Sequence, residues 1–340
     1  MDPRTLVWND RERRPRAPLR VVLLTVVTVL LALGTSLGAS VEVGGLRARL
    51  AAVFGDVVAT TVSAVAGIVL VAGVVTLAVL IAGRYIDRRH LRDFGFHLDR
   101  GWWLDCGFGL LLGALLMTLV FAVEVAAGWT RVTGIAAMDA DFLVRFLGLV
   151  VAFVAVGGYE ELLARGYLLT NAAEGLVGWV GDGAAVGGGV AISSVVFGLA
   201  HASNPNATLL STGAIVLAGG MLAVGYVLTG DLAIPIGLHT TWNLFQGGVY
   251  GFPVSGLGIE TSVVAIQRDG PRLLTGGTFG PEAGLIGVGA MGLGSAAIAA
   301  WVRWRTGDRG IAPGVTTPDL REGREDIDGT RWEPTPDERD

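Results

Sequence analysis

Residues 147–166 read LGLVVAFVAVGGYEELLARG, and this stretch decides the fold. An apolar run from Leu147 to Val156 leads directly into two adjacent glutamates, Glu160 and Glu161, and then into Arg165. The helix of a soluble protein carries an apolar stripe on one side only, whereas this run is apolar on every side. The stretch therefore predicts a membrane-spanning helix with charged side chains towards one end.

The same composition extends over most of the chain. Of its 340 residues, 52% are hydrophobic and 16% are charged, and the mean hydropathy is +0.59. A bilayer core about 30 Å thick needs roughly 20 apolar residues per helix, and about eight runs approach that length. The sequence predicts an all-α, polytopic transmembrane helix bundle with spans near 19–41, 58–82, 106–127, 143–169, 184–202, 208–228, 232–250 and 283–302.

The charges divide the chain into three predicted segments. They are an Arg-rich N-terminal segment (1–18), a transmembrane domain (19–309, with its signature core at 140–250) and a disordered acidic tail (310–340). An even number of spans puts both termini on one side, and the Arg clusters before the first span, in the second loop and after the last span share that side. Because positive charge favours the cytoplasmic side, we expect a multi-pass cell-membrane protein with both termini cytoplasmic and no nucleic-acid partner.

Three short polar clusters interrupt the apolar runs. A charged side chain in the bilayer costs about 2.5–3.5 kcal/mol, so each one needs a partner or a function. Glu161 and Arg165 are four residues apart on one helix face and can pair, whereas Glu160 is turned about 100° away and stays unpaired in its own helix. The other two clusters have the same spacing and are Phe197 with His201 and His239 with Asn243.

Two histidines in separate apolar spans, together with Glu160 and Asn243, favour one shared site over separate packing residues. Full crossings of the fourth and fifth spans would, however, place Glu160 and His201 near opposite ends. Either the segment 171–200 is displaced or partly re-entrant, or the span boundaries differ from those predicted. We favour different boundaries, with His201 deeper than hydropathy indicates.

Other membrane hydrolases have motifs that this sequence lacks, namely His-Glu-x-x-His, Gly-x-Ser-Gly and a Gly-x-Gly-Asp sequence. The three clusters instead resemble the signatures of the type II CAAX prenyl endopeptidase family, also called the CPBP (CAAX protease and bacteriocin-processing) family. Its motifs are Glu-Glu-x-x-x-Arg, Phe-x-x-x-His and His-x-x-x-Asn. All three occur here in order, at 160–165, 197–201 and 239–243.

This resemblance implies an intramembrane endopeptidase. Glu160 and His201 would activate water, His239 and Asn243 would stabilise the oxyanion, and Glu161, Arg165 and Phe197 would support them. The substrate would be a membrane-proximal peptide or protein, with lipidated substrates as one option. A divalent metal such as zinc, held by Glu160, His201 and His239, is an open alternative, because two nitrogens and one carboxylate form a common catalytic zinc site.

Two other readings of the same residues stay open at this point. Intramembrane ionisable groups often form a proton or ion relay in a transporter, and they also occur in scaffold proteins without an enzymatic role. A haem ligated by His201 and His239 would leave the glutamates and Asn243 without a function. We favour the protease, because it accounts for all three clusters.

Overall fold

The computed structural model describes residues 7–10, 12–307, 310–321, 324–325 and 331–332. Its dominant elements are α-helices: α1 (Ala17–Phe54), α2 (Asp56–Tyr85), α3 (Arg100–Ala126), α4 (Ala140–Glu161), α5 (Thr170–Val177), α6 (Asp182–Ala200), α7 (Leu209–Thr229), α8 (Ala233–Asn243), α9 (Arg272–Thr275) and α10 (Leu285–Thr306). Two π-helical segments, Leu162–Leu169 and Leu244–Val249, continue α4 and α8. Short 3-10 turns lie at Leu91–Phe94, Pro281–Ala283 and Pro313–Val315.

The bundle is a multi-span membrane fold, which confirms the predicted fold class. Among the described residues, six helices are long and apolar enough to cross a membrane: Asp56–Tyr85, Arg100–Ala126, Ala140–Val177, Asp182–Ala200, Leu209–Thr229 and Leu285–Thr306. Each of the eight predicted spans coincides with a helix. The other two are α1, whose described apolar part is Ala17–Leu31, and α8, which is only 11 residues long.

The fourth predicted span is longer than hydropathy indicates. The helix runs without a break for 38 residues, from Ala140 to Val177, whereas the prediction ended it at 169. Polar residues lower the hydropathy beyond that point, but their side chains find partners inside the protein. Asn171 donates to the Tyr167 carbonyl oxygen at 3.0 Å, and Glu174 accepts from Arg20 at 2.7 Å. Glu160 therefore lies in the middle of a long helix and not near its end.

Helix α8 packs against α3 through glycines. A Cβ on Gly113 of α3 would lie 2.5 Å from the Leu238 carbonyl oxygen, and one on Gly237 of α8 would lie 2.8 Å from the Leu110 nitrogen. Small residues let helix backbones approach closely in lipid, where association depends on van der Waals packing. Helix α8 is consequently enclosed by α3, α4 and α7, and nine of its 11 residues are buried.

The long connection between α8 and α10 packs over one mouth of the bundle. It contains a strand, β4 (Val264–Arg268), which pairs antiparallel with β3 (Thr130–Ile135) from the α3–α4 connection. The register runs from Thr130 opposite Arg268 to Ile135 opposite Val264, with a shift between Val132 and Gly134. This small sheet was not predicted, because the two segments are short and far apart in sequence.

Both chain ends contribute short elements. Strands β1 (Trp8–Asn9) and β2 (Arg14–Pro15) form a hairpin whose Arg14 is buried and donates to Glu174 at 3.0 Å. Residues 310–321, which the sequence assigns to the tail, instead pack on the bundle with Val315 fully buried. Most of the rest of the predicted tail lies outside the described residues, apart from strands β5 (Arg324–Glu325) and β6 (Arg331–Trp332).

Candidate active site

The first motif forms a buried ionic network. Glu161 ends α4 and Arg165 lies in the π-helical segment that follows; both side chains are fully buried. Arg165 Nη1 donates to Glu161 Oε1 at 2.7 Å, and its Nη2 donates to the Gly219 carbonyl oxygen of α7 at 2.9 Å. The predicted pair is thus present, and it also ties the helix of the first motif to α7.

His239 joins the first motif to the third. Its Nδ1 lies 2.8 Å from Glu161 Oε1, and its Nε2 lies 3.9 Å from Glu160 Oε2. The imidazole therefore lies between the two adjacent carboxylates, with one ring nitrogen directed to each. Sequence spacing pairs Glu161 with Arg165 but gives no indication of this second contact, because it joins residues 78 positions apart.

Glu160 is held from one side only. Its Oε1 accepts a hydrogen bond from the Tyr159 hydroxyl at 3.1 Å. Its Oε2 is buried and has no hydrogen-bond partner among the described residues. A buried carboxylate oxygen is costly without a donor, and a polar separation of 3.9 Å is commonly bridged by water. The space between Glu160 and His239 is therefore suited to a water molecule.

The second motif closes the site from α6. His201 caps the C-terminal end of that helix, and its ring lies 4.9 Å from the Phe197 ring, centroid to centroid. The Phe197 ring in turn lies 6.0 Å from the His239 ring and 4.5 Å below the Arg165 guanidinium carbon. His201 Nδ1 donates to the Phe197 carbonyl oxygen at 2.8 Å, since a carbonyl oxygen only accepts. In the neutral ring this contact leaves Nε2 without a proton, as an acceptor.

A small cavity unites the second and third motifs. Its volume is about 40 Å³, enough for a few water molecules, and its lining includes Phe197, His201, His239 and Asn243. Glu160 does not line the cavity and reaches it only through His239. His201 is partly buried and lies directly after the C-terminal residue of α6. The main difference from the predicted boundaries lies in the fourth helix.

Two residues of this region were not singled out from the sequence. Tyr159 precedes the glutamate pair and holds Glu160, a contact with no sequence signal beyond adjacency. Glu282 lines the same cavity from the connection before α10, and burial raises its pKa to about 7. A carboxylate among glycine, proline and apolar residues just before an apolar run was a signal that could have identified Glu282.

The zinc alternative is not supported by the arrangement of these side chains. Among the described residues, no group of three or more His, Cys, Asp or Glu side chains is arranged to hold a metal ion. Because the proposed ligands do not converge, no step below is assigned to a metal.

Comparison with known families gives one match. The family model described as type II CAAX prenyl endopeptidase Rce1-like matches residues 142–245, which include all three motifs. This segment is a CAAX-protease domain. The family is one of intramembrane proteases, and the match covers these residues and less than half of the chain. No curated protein and no solved structure matches the chain.

Proposed function

We propose that this CAAX-protease domain hydrolyses a peptide bond close to the membrane, with Glu160 and His201 activating water and His239 and Asn243 stabilising the oxyanion. The observation that carries the proposal is the Glu160–His239 contact beside the cavity. One Glu160 oxygen is buried, has no hydrogen-bond donor in the described part of the chain and faces His239 Nε2. A desolvated carboxylate in that position can take a proton from water.

The other roles follow from the remaining contacts. Asn243 lies one helical turn after His239 and lines the same cavity, so its amide nitrogen can donate to charge that develops there. His239 can donate from Nε2 when the ring is protonated, because Nδ1 already donates to Glu161. A donor placed where negative charge develops contributes about 3–4 kcal/mol to catalysis. Glu161 holds the His239 ring by Nδ1, and Arg165 holds Glu161, so this pair would fix the orientation of the oxyanion donor.

The substrate is proposed to be a membrane-proximal peptide or protein, with lipidated peptides as one class to be tested. We further propose that both termini face the cytoplasm, because the Arg clusters lie on that side of an even number of spans. Reporter fusions at each terminus test the orientation.

The decisive experiment compares wild type with Glu160→Gln and His201→Ala in detergent, using fluorogenic membrane-proximal and prenylated peptides. Both variants should lose at least about a hundredfold in kcat/KM. Asp141→Asn is the matched control, because it removes an exposed carboxylate from the same helix. Cleavage that survives in Glu160→Gln contradicts the assignment. Repeating the assays with a chelator tests the metal alternative separately.

A proton or ion relay is the second candidate function. The observation that favours it is the row of ionisable groups from Glu160 through His239 to Glu161. The row ends, however, at the fully buried Arg165, which is a fixed positive charge. If no peptide is cleaved while the same variants abolish a proton-coupled flux in liposomes, the relay replaces the protease.

A further inference from the structure

Glu282 is a buried carboxylate in the cavity that lies outside the residues matched by the family model. It is located in the 3-10 turn Pro281–Ala283, just before α10, and is 3% exposed. The site proposed above does not use it. A buried carboxylate in a membrane protein is costly to keep, so its contacts indicate what it does.

Its two oxygens hold residues 253–256, which are called here the wall loop because Ser255 lines the cavity. Glu282 Oε1 accepts from the Ser255 backbone nitrogen at 2.6 Å. Its Oε2 accepts from Gln246 Nε2, and the same Gln246 nitrogen donates to the Pro253 carbonyl oxygen at 2.6 Å. The carboxylate therefore fixes the wall loop both directly and through Gln246.

The wall loop needs such an anchor because its backbone is strained. Ser255 has a φ of +48°, in the left-handed region that non-glycine residues avoid at a cost of about 1–2 kcal/mol. Side chains from two other segments hold it there. Glu282 takes its N–H, and Asn204 Nδ2 donates to its carbonyl oxygen at 2.9 Å.

Asn204 connects the wall loop to His201. The two residues belong to one turn, in which the Asn204 backbone nitrogen donates to the His201 carbonyl oxygen at 3.1 Å. A second hydrogen bond links the same turn to the wall loop, from Asn206 Nδ2 to the Gly256 carbonyl oxygen at 3.4 Å. The contacts thus run from Glu282 through Ser255 and Asn204 to His201.

We infer that Glu282 is a positioning residue of the active site, which holds His201 in place through Ser255 and Asn204. The inference rests on the proposed peptidase activity for its kinetic test. It assigns Glu282 no contact with substrate. A misplacement of the reacting groups by about 1 Å can cost a hundredfold in rate, so an anchor three contacts away can still govern kcat.

Glu282 is the acceptor in both of these hydrogen bonds, from Ser255 and from Gln246. The ionised carboxylate, which carries no proton of its own, therefore holds the wall loop best. Burial nevertheless raises its pKa to about 7. The positive charge of Arg268 on β4 opposes this rise. The elements around Glu282 add little further charge. Helix α7 carries no charged residue, and the two arginines of α10 lie at its far end. Helix α9 contributes Arg272, and the π-helical segment Leu244–Val249 contributes the neutral Gln246. His201 and His239 share the cavity.

The test compares Glu282→Gln, Asn204→Ala and their double variant in the peptide assay. Each single change should lower kcat by about tenfold and leave KM within about twofold, and the double should be no worse than about the poorer single. Glu260→Gln is the control, because Glu260 is an exposed carboxylate in the same connection. Unchanged kcat in both single variants, or losses that multiply in the double, overturns the inference.

The pH profile separates positioning from mere structural support. Wild-type kcat should fall as the pH drops through about 7. The Glu282→Gln variant should lack this step and stay near the low-pH value of wild type. A step that persists unchanged in the variant contradicts the inference.

A footprint of His201 tests the same contacts without any activity. Purified wild type and both single variants are treated with diethylpyrocarbonate, and modification of His201 is measured by mass spectrometry against the exposed His90. Faster modification of His201 in both variants supports the inference, and equal rates overturn it. If the wild type cleaves no peptide, the proposed function fails while this result still decides the role of Glu282. If Glu282→Gln does not fold, Asn204→Ala probes the same link.

Discussion

Replacement of Arg165 by Met tests the ionic network that supports the site. The change removes both donors of the guanidinium and leaves the fully buried Glu161 with only His239 as its partner. Breaking a buried ion pair from one side costs about 3–5 kcal/mol, and the surviving His239 contact puts the expected loss near the lower limit, about 3 kcal/mol. At about 2–4 °C per kcal/mol, the unfolding midpoint should fall by roughly 10 °C.

The assay is thermal unfolding of the purified protein in one detergent, followed by the fluorescence of its nine tryptophans. The double variant Glu161→Gln with Arg165→Met removes both charges and should recover most of the loss, because no unpaired charge stays buried. Arg145→Met is the control, since Arg145 is exposed on the same helix and should change stability by less than about 1 kcal/mol. The reasoning is refuted if Arg165→Met unfolds with the control, or if the double variant is no more stable than the single.

Three further predictions test other parts of the molecule. Tyr159→Phe removes the hydroxyl that donates to Glu160 Oε1 and should lower kcat several-fold. Its free energy of unfolding should change by less than about 1 kcal/mol, so kinetics and unfolding are measured on the same preparation. An unchanged kcat would show that Tyr159 does not orient Glu160. Glu282 has a folded pKa of about 7 against an ordinary 4.5, so the native state binds its proton more tightly and stability should fall by roughly 3 kcal/mol as pH rises from 4.5 through 7. Unfolding of Glu282→Gln across that range should lack this loss, and parallel curves for the two proteins would contradict the shift. Gly113→Ala places a methyl group against the Leu238 carbonyl oxygen and should destabilise the protein by about 1–3 kcal/mol. The control is Gly107→Ala on the same helix, whose methyl group meets open space and should leave stability unchanged. Equal unfolding midpoints for the two variants would mean that α3 and α8 are not in close contact.

Much of the architecture could be predicted from the sequence, because membrane insertion imposes a long apolar run on each helix. Each predicted span coincides with a helix, and the family assignment from the three motifs is confirmed by the match to residues 142–245. Hydropathy placed the end of the fourth span too early, because polar side chains beyond that point have hydrogen-bond partners inside the protein. Asn171 and Glu174 ended the predicted span, although their partners keep both in a continuing helix.

The sequence pointed to most of the residues that meet at the candidate site, but to few of the contacts between them. Spacing of four residues correctly paired Glu161 with Arg165 and placed His239 and Asn243 on one face. Contacts between distant segments, such as His239 with Glu161, depend on how the helices pack and have no local signal. The role of Glu282 has no local signal for the same reason, since its donors, Ser255 and Gln246, lie 27 and 36 positions away in sequence.

The glycine contact between α3 and α8 fixes the backbone that carries His239 and Asn243. His239 and Asn243 belong to a helix whose backbone touches its neighbour at Gly113 and Gly237, so a shift of α8 would break that contact over its length. His201 lies at a helix end followed by a turn. A cavity of about 40 Å³ holds water but is far smaller than the roughly 300–1,000 Å³ of pockets that enclose drug-sized ligands. In the proposed protease, a peptide would enter by displacing the turn after His201 and its hydrogen bonds to the wall loop, while α3 holds His239 and Asn243 in place.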